Sequence, residues 1–270
     1  MKADNRLEVR GLTAGYGGRA VLCGLDLCAQ PGEATALLGL NGSGKSTLLR
    51  AVMGFVPAQG SVSLGGEDLL RLDERRRALA LAYIPQRTHA DPGLTALETV
   101  LMGANARTPL LGGYTRAQRA QAALCLKQAG ADAHADTLLG ELSEGQRQTV
   151  ILGRALMQQP RAFLLDEPDS ALDLPRRYAV LRLVRRMAAE NGCAALIALH
   201  DPALALNVCD RVLVIRDGRI AFAAEMRRAG REEIERGMRL LYGAVRVVRD
   251  GGAYAVLEDG DTLHSPDSLV

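Results

Sequence analysis

The sequence predicts an α/β protein in which a parallel-sheet core carries a helical insertion. Short, wholly apolar runs, such as ATALLGL (34–40) and AFLLD (162–166), alternate with stretches of helical spacing. Runs of this kind are typical of strands that are buried on both faces. Between about residues 95 and 159 the alternation stops, and only helix and loop patterns are found. These observations together favour a sheet whose crossover helices are joined by one inserted helical segment.

The first part of the chain is predicted to contain one helix and three strands in addition to the apolar run at 34–40. The helix follows Lys45 with helical spacing and is predicted to stop near Gly54 and Pro57. The strands are predicted at residues 7–12, 61–64 and 81–84.

Within the insertion, two helix starts are predicted from capping-box spacing, in which a Ser or Thr is followed three residues later by Gln. Thr115 with Gln118 begins a helix that ends near Gly130, and Ser143 with Gln146 begins another. Strand–helix alternation then resumes, with strands at 162–166, 194–199 and 211–215, a helix at about 175–190 and a short helix after Pro202. Asp-Gly and Asp-Gly-Gly turns predict two hairpins, at residues 217–218 and 250–252.

Composition excludes several classes of protein. The chain has 270 residues, 48% of them hydrophobic, and a net charge of +2, so it can bury a core but lacks the basic excess of a nucleic-acid binder. Its five cysteines form no CxxC pair, which favours reduced, buried thiols over a zinc site. No apolar run reaches the ~18 residues that span a bilayer. The chain is therefore expected to be soluble, with any membrane part supplied by another chain.

The segment GLNGSGKST (39–47) fits the pattern G-x-x-x-x-G-K-[ST] between a buried strand and a helix. Glycines let backbone N–H groups approach a phosphate, and the helix N-terminus attracts the same anion. Lys45 is expected to reach the β- and γ-phosphates, and the Ser46 hydroxyl to ligate Mg²⁺. The candidate ATP-binding residues of this loop are Gly39, Asn41, Gly42, Ser43, Gly44, Lys45, Ser46 and Thr47.

Polar side chains follow two of the later strands. Asp166 ends one apolar run and is predicted to hold Mg²⁺ through water, while Glu167 is placed to polarise an attacking water as general base. His200 ends the next predicted strand. Because parallel strands bind ligands at their carboxyl ends, we expect His200 to contact the γ-phosphate or to hold Glu167 and water in line.

A second anion site is predicted at LSEGQ (142–146), where Ser143, Gly145 and Gln146 open a helix. This segment lies in the helical insertion rather than beside the phosphate loop. One economical arrangement is two copies of the protein facing each other, so that each LSEGQ closes over the nucleotide on its partner.

These motifs, in this order, resemble those of ATP-binding-cassette ATPases, the motor subunits of membrane transporters, over nearly the whole chain. The resemblance implies that Tyr16 stacks on adenine and that Gln86 contacts Mg²⁺ and water and couples to the transmembrane subunit. It also identifies LSEGQ as the signature motif, Glu167 as catalytic base, Ser170 to Asp173 as the D-loop and His200 as the switch histidine.

The implied fold is a P-loop NTPase (RecA-like) core with an antiparallel β subdomain and an inserted α-helical subdomain. The expected nucleotide-binding domain covers residues 1–240, with the helical subdomain at about 87–159, and a short C-terminal β-hairpin extension covers 241–270. Two residues depart from the family pattern. Glu144 replaces a glycine of the signature, where it would weaken closure if it pointed inward, and Asp169 replaces a threonine or serine.

Two segments are similar to parts of importer ATPases for iron–siderophore complexes, haem or cobalamin. They are ETVLMGANARTPLLGGYTRAQRA and GMRLLYGAVRVV. The expected partners are a second copy, integral membrane permease subunits and, indirectly, a substrate-binding protein, with ATP and Mg²⁺ as cofactors. The expected location is the cytoplasmic face of the cell membrane. Alternatives are an importer ATPase for another substrate, a soluble cassette ATPase of DNA repair or translation, and a nucleotide-gated clamp without useful hydrolysis. A GTPase is disfavoured because the chain contains no NKxD motif.

Overall fold

A computed structural model of the protein describes residues 4–86, 90–109, 113–170 and 172–259. Its central sheet has six strands in the order β10-β9-β3-β8-β7-β6. The five strands β6 to β9 and β3 pair in parallel, and β10 pairs with β9 in the antiparallel sense. Their bounds are β3 (Ala34–Leu38), β6 (Leu81–Ile84), β7 (Ala162–Asp166), β8 (Ala194–Leu199), β9 (Arg211–Arg216) and β10 (Arg219–Glu225).

Every residue of β3, β7 and β8 is buried, as their apolar sequences predict. The two faces of the sheet belong to different cores. Leu37 packs in one core, whereas its neighbours Ala36 and Leu38 pack in the other. This alternation follows from the two-residue period of a strand, and it explains why the central strands need apolar side chains at every position.

A second, antiparallel sheet covers one face, with the strand order β2-β1-β4-β5. Its strands are β1 (Leu7–Tyr16), β2 (Arg19–Ala29), β4 (Ala58–Leu64) and β5 (Glu67–Asp68). Between the two sheets lies α1 (Lys45–Val52), whose Leu48 and Leu49 are fully buried in the smaller core. The phosphate-loop helix is therefore held on both sides by apolar packing.

The predicted helical insertion is present. It contains α3 (Ala96–Leu101), α4 (Arg116–Ala129) and α5 (Glu144–Met157), together with three short 3-10 helices at Met102–Arg107, Asp132–His134 and Leu139–Glu141. Capping boxes begin α4 at Thr115 and α5 at Ser143, which confirms both predicted starts. Gly130 ends α4 in the left-handed conformation, with φ of 79°.

The remaining helices are α2 (Glu74–Ala80), α6 (Leu174–Asn191), α7 (Pro202–Val208), α8 (Arg231–Tyr242) and a 3-10 turn at Leu69–Arg71. Helices α5 to α8 contribute to the larger core. None of the helices in the described ranges is both long and apolar enough to cross a membrane.

The last two strands of the described residues form the predicted hairpin of β11 (Val245–Asp250) and β12 (Ala253–Glu258). The expected division after residue 240 lies within α8. Val247 and Tyr254 of the hairpin are buried in the larger core, and the Asn207 side chain hydrogen-bonds both the carbonyl and the N–H of Tyr254 at 2.8 Å. The hairpin is thus packed on the same core as α7 and α8.

Candidate nucleotide-binding site

The loop between β3 and α1 can be formed only with glycine at particular positions. Gly44 has φ of 107°, and a Cβ there would lie 2.8 Å from Leu22 Cδ2. A Cβ at Gly39 would lie 2.6 Å from Ile215 Cγ2. Side chains at these positions would collide with strands of the two sheets, so glycine is required there. Because glycine has no side chain, the loop backbone is also free to approach a bound group closely. The loop lines a cavity of about 520 Å³ that also contains Gln86, Glu167 and His200.

Lys45 and Ser43 supply polar groups inside this loop. Lys45 is 5% exposed, and its Nζ donates hydrogen bonds to the carbonyl of Gly39 at 2.8 Å and that of Leu40 at 3.4 Å. Burial lowers the pKa of Lys45, while the carboxylates of Glu167 and Asp166 act in the opposite direction. The buried Ser43 Oγ has no hydrogen-bond partner among the described residues. A buried cation and an unpaired hydroxyl beside a glycine cradle fit a phosphate chain.

Asp166, at the end of β7, lies beside the first turn of α1. The Ser46 hydroxyl donates to Asp166 Oδ1 at 2.8 Å, and the Tyr83 hydroxyl donates to Oδ2 at 3.4 Å. Burial raises the pKa of Tyr83, and the charge of Asp166 adds to this rise. A hydroxyl and a carboxylate are the oxygen ligands that Mg²⁺ prefers, so the pair fits the predicted metal. The contact of Tyr83 was not predicted from the sequence.

Of the three predicted catalytic residues, Glu167 contacts both of the others. Glu167 is 8% exposed; its Oε2 accepts a hydrogen bond from Gln86 Nε2 at 2.5 Å, and its Oε1 contacts His200 Nε2. The backbone of Glu167 has φ of 51°, a left-handed conformation that costs a non-glycine residue about 1–3 kcal/mol. The N–H of Glu167 donates to the Ala198 carbonyl of the neighbouring strand at 3.1 Å, which helps to hold this geometry.

His200 has a further partner that was not predicted from the sequence. The hydroxyl of Tyr242, at the end of α8, donates to the His200 carbonyl at 3.2 Å. Burial raises the pKa of Tyr242, and the nearby charge of Asp201 acts in the same direction. No local pattern links residues 200 and 242, so only the packing of α8 could reveal the contact.

Tyr16 borders a second cavity, of about 1010 Å³, that adjoins the first through residues 41–43. Its side chain is about half exposed, at 49%. Hydrogen bonds to Tyr16 and Tyr83 raise the pKa of Arg50. Arg50 thus lies between Tyr16, the predicted adenine-stacking residue, and Tyr83 of the strand beside Asp166. Tyr16 is thus next to the phosphate loop but away from Glu167.

The signature residues lie elsewhere. Ser143, Gly145 and Gln146, at the start of α5, line a separate cavity of about 560 Å³ that shares no lining residue with the phosphate-loop cavity. A Cβ at Gly145 would lie 2.8 Å from Arg176 Cδ, so the Arg176 side chain of α6 lies directly over this glycine. Within one chain, the predicted signature residues and the phosphate loop are therefore not brought together.

The two departures from the family pattern have different environments. Glu144 is exposed and forms an ion pair with Arg147 of its own helix at 2.9 Å, so its carboxylate is held along α5. Asp169 is 5% exposed, and burial raises its pKa against the opposing effects of its own backbone N–H and Arg177. In the predicted D-loop, residue 171 lies outside the described residues.

Comparisons with known proteins identify the family. Residues 22–170 match the profile of the family described as ABC transporter. The chain is 35% identical to the hemin import ATP-binding protein HmuV of Chelativorans sp. (strain BNC1), over 79% of this chain and 83% of the relative. It is also 35% identical to the phosphonates import ATP-binding protein PhnC of Burkholderia pseudomallei (strain 1710b), over 84% of this chain and 76% of the relative.

Among solved structures, the chain is similar to a dimeric ATP-binding cassette in a post-hydrolysis state bound to ADP and Pi. The TM-score is 0.70 at 26% identity, covering 82% of this chain and 98% of the other. Both the sequence and the overall fold of the chain are thus similar to those of known ATP-binding cassettes. The chain therefore belongs to the ABC transporter family and has the fold of its ATP-binding cassettes.

Proposed function

We propose that this chain is the ATP-hydrolysing motor subunit of an ABC importer, in which two copies sandwich two ATP molecules and drive transmembrane permease subunits. The observation that carries the proposal is the contact of Glu167 with both Gln86 and His200 in the phosphate-loop cavity. The residues come from the ends of three neighbouring strands. They stand beside a buried lysine, as in-line attack on a γ-phosphate requires.

Nucleotide binding is assigned to residues of the loop and its surroundings. Lys45 exchanges its loop carbonyl contacts for phosphate oxygens, the loop N–H groups donate to the same oxygens, and Tyr16 stacks on adenine. Ser46 and Asp166 hold Mg²⁺, with Gln86 as a further contact. When bound, Mg²⁺ supplies positive charge that neutralises the phosphate oxygens.

Glu167 acts as general base. Its Oε1 and Oε2 are each engaged by a neighbouring side chain, His200 and Gln86, which fix the direction of the carboxylate. The carboxylate accepts the proton of the attacking water, while His200 holds Glu167 and the water in line with the γ-phosphate.

The second half of each site comes from the other copy. Ser143, Gly145 and Gln146 present the N-terminus of α5 on a different cavity from the loop of their own chain. A helix of 14 residues with free N–H groups and a positive dipole end is suited to a phosphate. The similar dimeric cassette bound to ADP and Pi supports such an arrangement.

The nucleotide-binding domain is proposed to cover residues 1–240, including the helical subdomain at about 87–159. Residues 241–270 then form a C-terminal extension, whose described part runs from the end of α8 through the β11–β12 hairpin. The permease would hold the protein at the cytoplasmic face of the cell membrane, with a substrate-binding protein as an indirect partner.

The transported compound is proposed to be an iron chelate, haem or cobalamin, and the hemin import relative supports this class. The phosphonates import relative, at the same identity, makes an importer for another substrate the second candidate. A deletion strain separates the two through growth on hemin or a ferric siderophore as sole iron source, and on a phosphonate as sole phosphorus source. Loss of growth only on the phosphonate would exclude the iron-chelate assignment.

Phosphate release by the purified chain with Mg²⁺ and ATP tests the motor function. Activity per molecule should rise with protein concentration because the active species is a dimer, and co-purified permease should raise it further. Turnover that is independent of protein concentration, from a species that sediments as a monomer, would refute the two-copy scheme. Co-purification with ribosomes or DNA rather than a permease would favour the non-transport alternative.

A further inference from the structure

The side chain of Gln146 has a fixed orientation at the start of α5. The side-chain Oε1 accepts a hydrogen bond from the backbone N–H of Ser143 at 2.9 Å. The backbone N–H of Gln146 donates to Ser143 Oγ at 3.4 Å. With the amide oxygen engaged on Ser143, the NH₂ group is directed outward from the capping box. Its Nε2 lies 2.9 Å from Nε2 of His134.

This contact determines which form of the imidazole can make it. An amide NH₂ group only donates hydrogen bonds, so His134 Nε2 must accept. The imidazole must therefore be neutral and carry its proton on Nδ1. We infer that His134 is a positioning residue of the signature site, which holds Gln146 in its capping box only while the imidazole is neutral. This inference rests on the two-copy function proposed above.

His134 is itself held in place by neighbouring backbone. It ends the 3-10 helix Asp132–His134, its N–H donates to the Ala131 carbonyl at 3.0 Å, and its carbonyl accepts from Thr137 N–H at 2.9 Å. Arg186 of α6 donates to the carbonyl of Gln128, at the end of α4, at 2.9 Å. The half-buried His134 is thus held by the backbone turn of residues 131–137 that follows α4, and Arg186 ties the end of α4 to α6.

The cavity that His134 shares with Gln146 carries positive charge from α6. This helix contributes Arg176, Arg182 and Arg186. Among the described residues that line this cavity, α4 contributes Ala129 and α5 contributes Ser143, Gly145, Gln146 and Thr149, which are all uncharged. The acidic groups nearest in sequence, Asp132 and Asp136, are exposed.

Protonation would place an N–H donor against the donor NH₂ of Gln146 and add a cation to three arginines. The amide must then turn or leave, and the Ser143 N–H loses its acceptor. A neutral hydrogen bond of this kind changes an equilibrium by about two- to tenfold. We expect that factor in the ATP-dependent closure of the dimer, with P-loop binding of ATP by the single chain unchanged.

The tautomer is measured directly by long-range ¹H–¹⁵N correlation spectra of the full chain labelled on histidine. The chain has four histidines, and the spectrum of His134→Gln assigns the signal. At pH 8 the expected result is a neutral ring with its proton on Nδ1. A ring protonated on Nε2 at that pH would overturn the inference, whatever the chain's activity.

The functional test uses ATP-dependent dimer formation by Glu167→Gln protein, followed by sedimentation at pH 6 and pH 8, with residue 134 varied. His134→Ala should weaken the dimer about two- to tenfold at pH 8. His134→Gln supplies an amide oxygen as acceptor, so it should recover most of that loss and reduce the difference between pH 6 and pH 8. The other three histidines are present in every variant, so the comparison isolates residue 134.

Equal dimer formation by the wild-type residue and His134→Ala at pH 8, or an unchanged pH difference in His134→Gln, would overturn the inference while leaving the proposed function intact. Absence of any ATP-dependent dimer in all variants would instead contradict the proposed function. In that case the spectra still decide the state of the His134 contact. ATP binding by each monomer, measured by fluorescence of a labelled nucleotide, controls for folding.

Discussion

Replacement of Glu167 by glutamine tests the assignment of the general base with the smallest structural change. One carboxylate oxygen becomes an NH₂ group of nearly the same size. If the remaining oxygen faces Gln86, it still accepts the 2.5 Å hydrogen bond, and the new NH₂ group can donate to a neutral His200. Packing of the cavity is therefore preserved, and the amide loses only the ability to take up a proton.

The size of the effect follows from the chemistry. General-base catalysis contributes about 10²–10⁴ in rate, which corresponds to about 2.7–5.5 kcal/mol in the activation barrier. Conversion of a charge-assisted hydrogen bond to a neutral one changes the free energy of unfolding by about 1–2 kcal/mol. We therefore expect at least a hundredfold loss of kcat with ATP affinity retained, and an ATP-bound dimer that remains closed.

Phosphate release and nucleotide binding are measured on the wild type, Glu167→Gln and a matched control, Glu190→Gln. Glu190 lies exposed near the end of α6, so the same chemical change there should leave both quantities unaltered. Turnover of Glu167→Gln within about tenfold of the wild type would refute the base assignment, because general-base catalysis accounts for more than that. Loss of ATP binding would refute the claim that the amide preserves the site.

Three further tests, two of them comparing a pair of substitutions, concern the structure around the site. Gly44→Ala should lower the free energy of unfolding by about 1–3 kcal/mol and Gly42→Ala by about 1 kcal/mol. The two differ because only the Cβ at residue 44 meets Leu22. Equal midpoints of urea unfolding for the two variants would contradict this reasoning. Arg185→Ala should cost about 1–3 kcal/mol, since it removes a 2.8 Å partner from the buried Asp210. Arg227 lies 3.9 Å from the same carboxylate and is 82% exposed, so Arg227→Ala should lower the free energy of unfolding by less than about 1 kcal/mol. A larger loss of thermal stability in Arg227→Ala than in Arg185→Ala would show that Arg185 is not the main partner of Asp210. Asn207→Ala removes both side-chain hydrogen bonds to Tyr254, so β12 should exchange its amide protons about tenfold faster by mass spectrometry, and unchanged exchange would mean that apolar packing alone holds the hairpin.

The elements predicted correctly from the sequence are those whose pattern is local. The strand at residues 81–84 was predicted with its observed bounds, and the starts of α4 and α5 follow from three-residue capping signals. By contrast, β2 (Arg19–Ala29) was not predicted. Its pairing with β1 contains register shifts, and Gly24 within it has φ of 71°, so the two-residue alternation is broken.

Helix α8 was also missing from the prediction. It is rich in charged residues, and it buries a stripe that includes Ile234, Met238 and Leu241. Whether such a segment becomes a helix depends on a neighbouring surface that covers its apolar side. That surface is formed by residues distant in sequence, which a local pattern does not contain.

The phosphate loop could be located from a short stretch of sequence, because its glycine conformations and the start of α1 depend on a few consecutive residues. The sequence also supplied the types of residue that could act as base, metal ligand and cap. The contact between Gln86 and Glu167, 81 residues apart, instead depends on tertiary packing, since it requires β6 to pair with β7. The same holds for the contact of His134 with Gln146 and for the separation of the signature from the loop, because strand pairing and helix packing join residues that no local signal connects.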